Sequence, residues 1–185
     1  MPQYVALLRG IFPKNPNMHQ KKLTGVLEGL GFRRVQAVIS SGNVIFESPE
    51  TAVRALEARI EAAWPERLGF TSATIVRSRA ELERLVARDP FAGLEHGKAS
   101  YLLVTFFKRR ARLPFEVPHQ PSGRPWRIIG AGDRVMFSVI DTTSGQTPDV
   151  MSWLDRTFGK DISSRTWKTV HRILAKMAAA PRSSP

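Results

Sequence analysis

The chain has 185 residues, none of them cysteine, and its 28 Lys plus Arg against 16 Asp plus Glu give a formal net charge of +12. That length buries roughly 70% of the unfolded surface, enough for a core without metal or disulfide, and the lack of cysteine excludes a thiolate nucleophile and a thiolate metal site. With 42% hydrophobic residues, no apolar run near the ~20 residues a bilayer span needs and no leader-like start, the expected class is a globular, cytoplasmic protein.

The first apolar run, Tyr4-Val5-Ala6-Leu7-Leu8, suits a central strand buried on both faces. A polar loop, Pro13-Lys14-Asn15-Pro16-Asn17, leads to a helix whose inner stripe is Leu23, Val26, Leu27 and Leu30, with Gly31 as its stop. Arg34 to Ser40 and Asn43 to Glu47 read as two strands joined by a Ser41-Gly42 hairpin signal. Ser48 and Pro49 read as the cap and first position of a second helix, striped by Val53, Leu56, Ile60 and Trp64. Ala73 to Arg77 is a fourth strand. The order strand, helix, strand, strand, helix, strand is the split βαβ, or ferredoxin-like, arrangement, and right-handed crossovers place both helices on one face of an antiparallel sheet. The fold class is thus α+β, with residues 1–78 as a βαββαβ subdomain.

Residues 79–177 form a second, less regular α+β subdomain. Ser78-Arg79-Ala80-Glu81 is a capping box before a stripe of Leu82, Leu85 and Val86. Tyr101 to Phe107 reads as a strand. Residues 111–125, with Pro114, Pro118, Pro121 and Pro125, read as an irregular basic connection, and Trp126 to Ile129 with Arg134 to Ile140 as a hairpin turning at Gly130-Ala131-Gly132-Asp133. Thr147-Pro148 reads as the cap of a helix carrying Val150, Met151, Leu154 and Phe158 and ending at Gly159; Ser163 or Ser164 caps a last helix carrying Trp167, Val170, Leu174 and Met177. The tail, 178–185, lacks apolar periodicity and is expected to be mobile. No internal repeat stands out.

The chemistry is sparse. His19, His96, His119 and His171 have no metal-ligand spacing, so neither a metal nor a cofactor is expected. Gly130-Ala131-Gly132-Asp133 lacks the third glycine and the following helix of a phosphate cradle, and Ser40-Ser41-Gly42-Asn43 runs into a strand rather than a helix, so it is no nucleophile elbow. Charge is the strongest signal. Lys108, Arg109, Arg110, Arg112, Arg124, Arg127 and Arg134 face only Glu116 and Asp133 in their stretch, and Arg156, Lys160, Arg165, Lys168, Arg172, Lys176 and Arg182 face only Asp155 and Asp161. Clustered cations are the footprint of a nucleic-acid or other anionic partner, while Arg and Ala enrichment of this kind also follows from compositional bias.

Three segments carry a resemblance: Tyr4-Val5-Ala6-Leu7-Leu8-Arg9-Gly10-Ile11, Val38-Ile39-Ser40-Ser41-Gly42-Asn43-Val44-Ile45-Phe46-Glu47-Ser48, and Thr166-Trp167-Lys168-Thr169-Val170, supported by Thr147-Pro148-Asp149-Val150-Met151. Over residues 3–177 the chain resembles a bacterial family known as domain of unknown function 1697. The resemblance implies two ferredoxin-like (α/β plait) subdomains and no established activity. Many relatives carry an Asn-Val-Gly-Gly-Lys-Asn type of loop where this chain has Phe12-Pro13-Lys14-Asn15-Pro16-Asn17, and Arg-Asn-Trp where it has Arg165-Thr166-Trp167.

Two ligand sites follow as expectations. Arg9, Gly10, Asn15, Ser41, Gly42 and Asn43 meet if the first and third strands are antiparallel neighbours, and Ser164, Arg165 and Trp167 open the last helix, whose unpaired N–H groups favour an anion. Lys108, Arg109, Arg110 and Arg112 are the expected nucleic-acid contacts. The reading is a binding module for nucleic acid or a phosphorylated molecule; the alternatives are an enzyme built on the Arg, Asn and Ser loop cluster, and a protein-interaction module.

Overall fold

The computed structural model describes residues 1–40, 42–145 and 148–179; the expectations on Ser41, on Thr147 and on residues 180–185 of the tail lie outside the described residues. The chain forms two compact units, Met1–Arg84 together with the chain from His171 on, and Leu85–Val170. Each holds a four-stranded antiparallel sheet flanked by helices, and the architecture is a pair of ferredoxin-like plaits.

In the first unit β1 (Gln3–Leu8) lies between β3 (Asn43–Glu47) and β4 (Thr74–Ser78), with β2 (Arg33–Ala37) outside β3. The continuous apolar run of β1 marks its central place, since both its faces are buried. Tyr4, Ala6, Leu8, Val44, Phe46 and Val76 point to one face, where they pack on Leu23, Val26 and Leu27 of α1 (Gln20–Gly29) and Leu56, Ile60, Ala63 and Trp64 of α2 (Val53–Leu68). Gly31, at φ +83°, ends the first helix as expected. Ser48 does not cap the second. Its hydroxyl accepts from Glu50 N at 3.1 Å, the Glu50 carboxylate accepts from Ala52 N at 2.7 Å, and the helix begins only at Val53. Serine's capacity to bond two residues ahead competes with its capping role, and here the local turn wins.

The outer edge of β4 is closed by side chains. The N–H groups of Thr74, Val76 and Ser78 point away from β1 and donate to Glu61 at 2.8 Å, Glu57 at 3.0 Å and Glu81 at 2.8 Å. The Arg77 guanidinium donates to the Val76 carbonyl at 2.8 Å. Glu57 and Glu61 sit one turn apart on α2, so their spacing matches alternate residues of a strand. Glu81 belongs to the expected capping box: Glu81 N donates to the Ser78 hydroxyl at 3.2 Å while its carboxylate takes Ser78 N.

In the second unit β5 (Ser100–Phe107) lies between β7 (Val135–Asp141) and β8 (Ile162–Thr166), with β6 (Trp126–Gly132) outside β7. Residues 108–125 cross over without a helix, as the four prolines predict. Strand β6 runs on through Gly130–Gly132, past a bulge between Ile128 and Gly130, so the turn is the pair Asp133-Arg134 rather than the glycine stretch. Helix α4 (Val150–Phe158) is capped by Asp149, which accepts from Ser152 N at 3.2 Å, and ends at Gly159. Helices α3 (Arg79–Ala87) and α5 (Trp167–Ala179) follow the fourth strand of each unit.

A further expectation fails at the last helix. Ser163 and Ser164 cap nothing, because Ile162–Thr166 is a strand and the last helix starts at Trp167. Thr166 is the cap, accepting from Thr169 N at 3.2 Å. Backbone pairing of Leu103 with Thr166 through Phe107 with Ile162 draws a polar segment into the sheet that its sequence alone does not mark as a strand.

Candidate functional site

The end of β1 and the start of β3 do meet. Leu7 pairs with Asn43, and Leu8 N donates to the Gly42 carbonyl at 2.8 Å. The connection is tight: Gly42 has φ +72°, and a Cβ there would lie 2.5 Å from Ile11 Cγ1 and 3.1 Å from Leu8 Cβ. Ile39 holds φ +50°, a left-handed conformation that a β-branched residue adopts only under strain. Asn43 is 1% exposed, and its amide donates to the Val38 carbonyl at 3.0 Å while Val38 N donates to the Asn43 carbonyl at 2.8 Å. The Asn43 side chain therefore braces the strained turn.

Arg9 is half-buried at the end of β1, and its backbone is clasped by Ser72: Arg9 N donates to Ser72 Oγ at 3.1 Å, and Ser72 Oγ donates to the Arg9 carbonyl at 2.7 Å. Gly10 is exposed at φ +66°. Asn15 turns its carbonyl oxygen to Asn17 N at 2.9 Å and opens the short 3-10 turn Pro16–Met18. Arg9, Gly42 and Asn43 thus share one end of the sheet, whereas the Asn15 side chain serves its own loop. Ser72 joins this end as a residue that no local motif announces.

The second expected ligand site is not a helix start. Ser163 and Arg165 are buried side chains of β8, Ser164 shares a hydroxyl bond of 2.9 Å with Thr105, and Trp167 packs on Phe91 with ring centroids 5.3 Å apart. The Arg165 guanidinium donates to Ser163 Oγ at 2.9 Å and the Ser164 carbonyl at 2.7 Å. Burial pushes its pKa down from the ordinary arginine range to about 10, which leaves it charged at neutral pH. Arg165 is a strand-edge cation like Arg77, and it belongs to the second unit while Arg9 and Asn43 belong to the first.

The basic run has a different setting. Lys108 N donates to the Asp161 carbonyl at 3.0 Å, Phe107 N to the Arg134 carbonyl at 3.0 Å and Ala111 N to the Asp133 carbonyl at 2.8 Å. These bonds bring Lys108, Arg109, Arg110 and Arg112 to the same end of the second sheet as Arg134 of the hairpin turn and Lys160 before β8. Arg109, Arg110, Arg112 and Lys160 are exposed. The Arg110 pair with Asp133 is 3.4 Å long, with side chains 84% and 74% exposed, so water screens it and Arg110 remains available to a ligand. The sequence counts Arg134 and Lys160 among its clustered cations, but only strand pairing places them beside the run. Among the described residues no group of three His, Cys, Asp or Glu is placed to hold a metal ion, and no helix is long and apolar enough to cross a membrane.

A family model described as protein of unknown function (DUF1697) matches residues 1–116. The conserved bacterial protein SP0830 from Streptococcus pneumoniae is similar in fold, with a TM-score of 0.71 at 17% identity over 96% of this chain and 99% of that one. No curated protein matches the sequence.

Proposed function

We propose that this chain, which belongs to the DUF1697 family of proteins of unknown function, is a cytoplasmic binding module for an anionic ligand, and that nucleic acid is the ligand its basic end fits. The observation that carries this reading is the gathering of Lys108, Arg109, Arg110, Arg112, Arg134 and Lys160 from three separate segments onto one end of one sheet. Such a surface neutralises backbone phosphates and releases their counterions without reading bases. The aromatic residues of the first sheet support no stacking mode, since Tyr4 and Phe46 are buried in the core at 3% and 1% exposure. The enzyme alternative has less support, because the Asn43 amide braces a turn and Asn15 serves its own loop.

Anisotropy of a labelled single-stranded oligonucleotide tests the proposal. Binding is expected at low salt, with log K falling against log salt by ~0.7 per neutralised phosphate. The triple substitution R109A/R110A/R112A is expected to lower that slope by about 2, because up to three phosphate contacts go. Absence of binding at low salt, or a slope that the triple substitution leaves unchanged, overturns the reading.

A further inference from the structure

The opposite end of the second sheet holds an open cleft of about 440 Å³, within the size range of small-molecule sites. Gln120, Arg124, Trp126, Arg127, Asp141 and Thr143 are among the residues that line it. We propose that this cleft binds a small phosphate ester bearing free hydroxyls, a sugar phosphate or a mononucleotide, with Arg124 and Arg127 on the phosphate and Asp141 on a hydroxyl. This site stands apart from the nucleic-acid reading and does not depend on it.

The cleft is a built one. Arg124 N donates to the Pro121 carbonyl at 3.1 Å, and Gln120 Nε2 donates to the Arg124 carbonyl at 2.7 Å, which fixes the backbone of Arg124. Its guanidinium lies over the Trp126 ring, 5.6 Å from the centroid, so part of its rotamer freedom is already lost before a ligand arrives. Arg127, on β6, is exposed, and its side chain makes no hydrogen bond or ion pair among the described residues. Two planar guanidinium forks in one cleft match the double charge and the several oxygens of a phosphate monoester.

Asp141 supplies the discrimination. Its Oδ1 accepts from Thr143 N at 2.8 Å and Thr143 Oγ1 at 2.6 Å, and these bonds hold its carboxyl below the usual carboxylate range. Oδ2 is left to accept from a ligand hydroxyl. Gln120, whose amide nitrogen is engaged, presents its carbonyl oxygen as a second acceptor. A free phosphate offers these acceptors only its own P–OH, and an uncharged sugar takes only single, charge-poor hydrogen bonds from the arginines, so neither fragment uses both halves of the cleft. The carboxylate of Asp149 also lies in the field of Arg124, but it is occupied as the cap of α4.

Calorimetric titration of the full chain with ribose 5-phosphate, inorganic phosphate and ribose tests the assignment. The ester is expected to bind about tenfold or more tighter than either fragment, the effect of one or two charge-assisted hydrogen bonds. Arg127→Ala, an exposed change whose folding is checked by circular dichroism, is expected to weaken the ester about tenfold. Asp141→Asn is expected to keep phosphate binding and collapse the preference for the ester. R109A/R110A/R112A is expected to bind the ester as the unsubstituted chain does. Unchanged ester binding by Arg127→Ala, or an ester no tighter than inorganic phosphate, overturns the proposal.

Discussion

Trp64→Ala is expected to remove about 3–5 kcal/mol of stability. Trp64 is fully buried between α2 and the sheet, stacks on Phe70 with centroids 5.8 Å apart, and donates its indole N–H to Thr74 Oγ1 at 2.9 Å. Truncation leaves a cavity where a two-ring side chain stood, and close-packed neighbours relax only partly into it. The Thr74 hydroxyl keeps its own bond to the Ser72 carbonyl, so the loss is mainly one of packing rather than of an orphaned polar group. Against a typical total of about 5–15 kcal/mol, urea denaturation should show a midpoint lowered by a large fraction. Trp64→Phe should recover most of it by keeping one ring on Phe70. A Trp64→Ala midpoint within error of the unsubstituted chain would show that this helix is not anchored there.

Gly42→Ala is expected to cost about 2–4 kcal/mol, from left-handed backbone strain and an overpacked contact together. The added methyl meets Ile11 and Leu8 at once. Ile11 is only partly buried and can yield, but Leu8 is held by its place in the sheet core. Ile39 already sits at positive φ in the same connection, so the turn has little freedom to absorb a second strain. Thermal unfolding measures the effect, and amide exchange should show the loss first at Leu8 N, whose acceptor is the Gly42 carbonyl. A substituted chain that melts with the unsubstituted one would place the turn outside the cooperative core.

The first plait is legible because its signals are local: a five-residue apolar run for the central strand, helical stripes for the two crossovers and a glycine between two strands. The capping box at Ser78 and Glu81 is equally local. The likeness of the two units, which the family resemblance implies, does not show in the residues themselves as a repeat, and the register shows why. Val5 pairs with Ile45 and Arg77, and Val104 pairs with Phe137 and Arg165. Arg77 and Arg165 each donate to the carbonyl of the residue before them, each is followed by a hydroxyl residue that caps a helix, and Leu82, Arg84, Leu85 and Ala87 of that helix answer to Val170, Arg172, Ile173 and Ala175. The spacing between matching residues changes from strand to strand, because the first crossover of the second unit lacks its helix and the helix of its second crossover is shorter, and a fixed-period comparison blurs the match. The same long-range pairing hides the strand at Ser163 to Arg165 and the company that Arg134 and Lys160 keep with the basic run.

The closed edge of β4 has a consequence for assembly. A sheet with a bare margin is a template on which another chain can lay a strand and repeat the act indefinitely. Glu61, Glu57 and Glu81 occupy the donors of that margin and Arg77 occupies a carbonyl, so an incoming strand would have to displace anionic acceptors that are already satisfied. Growth of a cross-β filament from the first sheet is therefore blocked on this side. On the other side, β2 is guarded by the bulge between Arg33 and Gln36 and by the cationic pair Arg33 and Arg34.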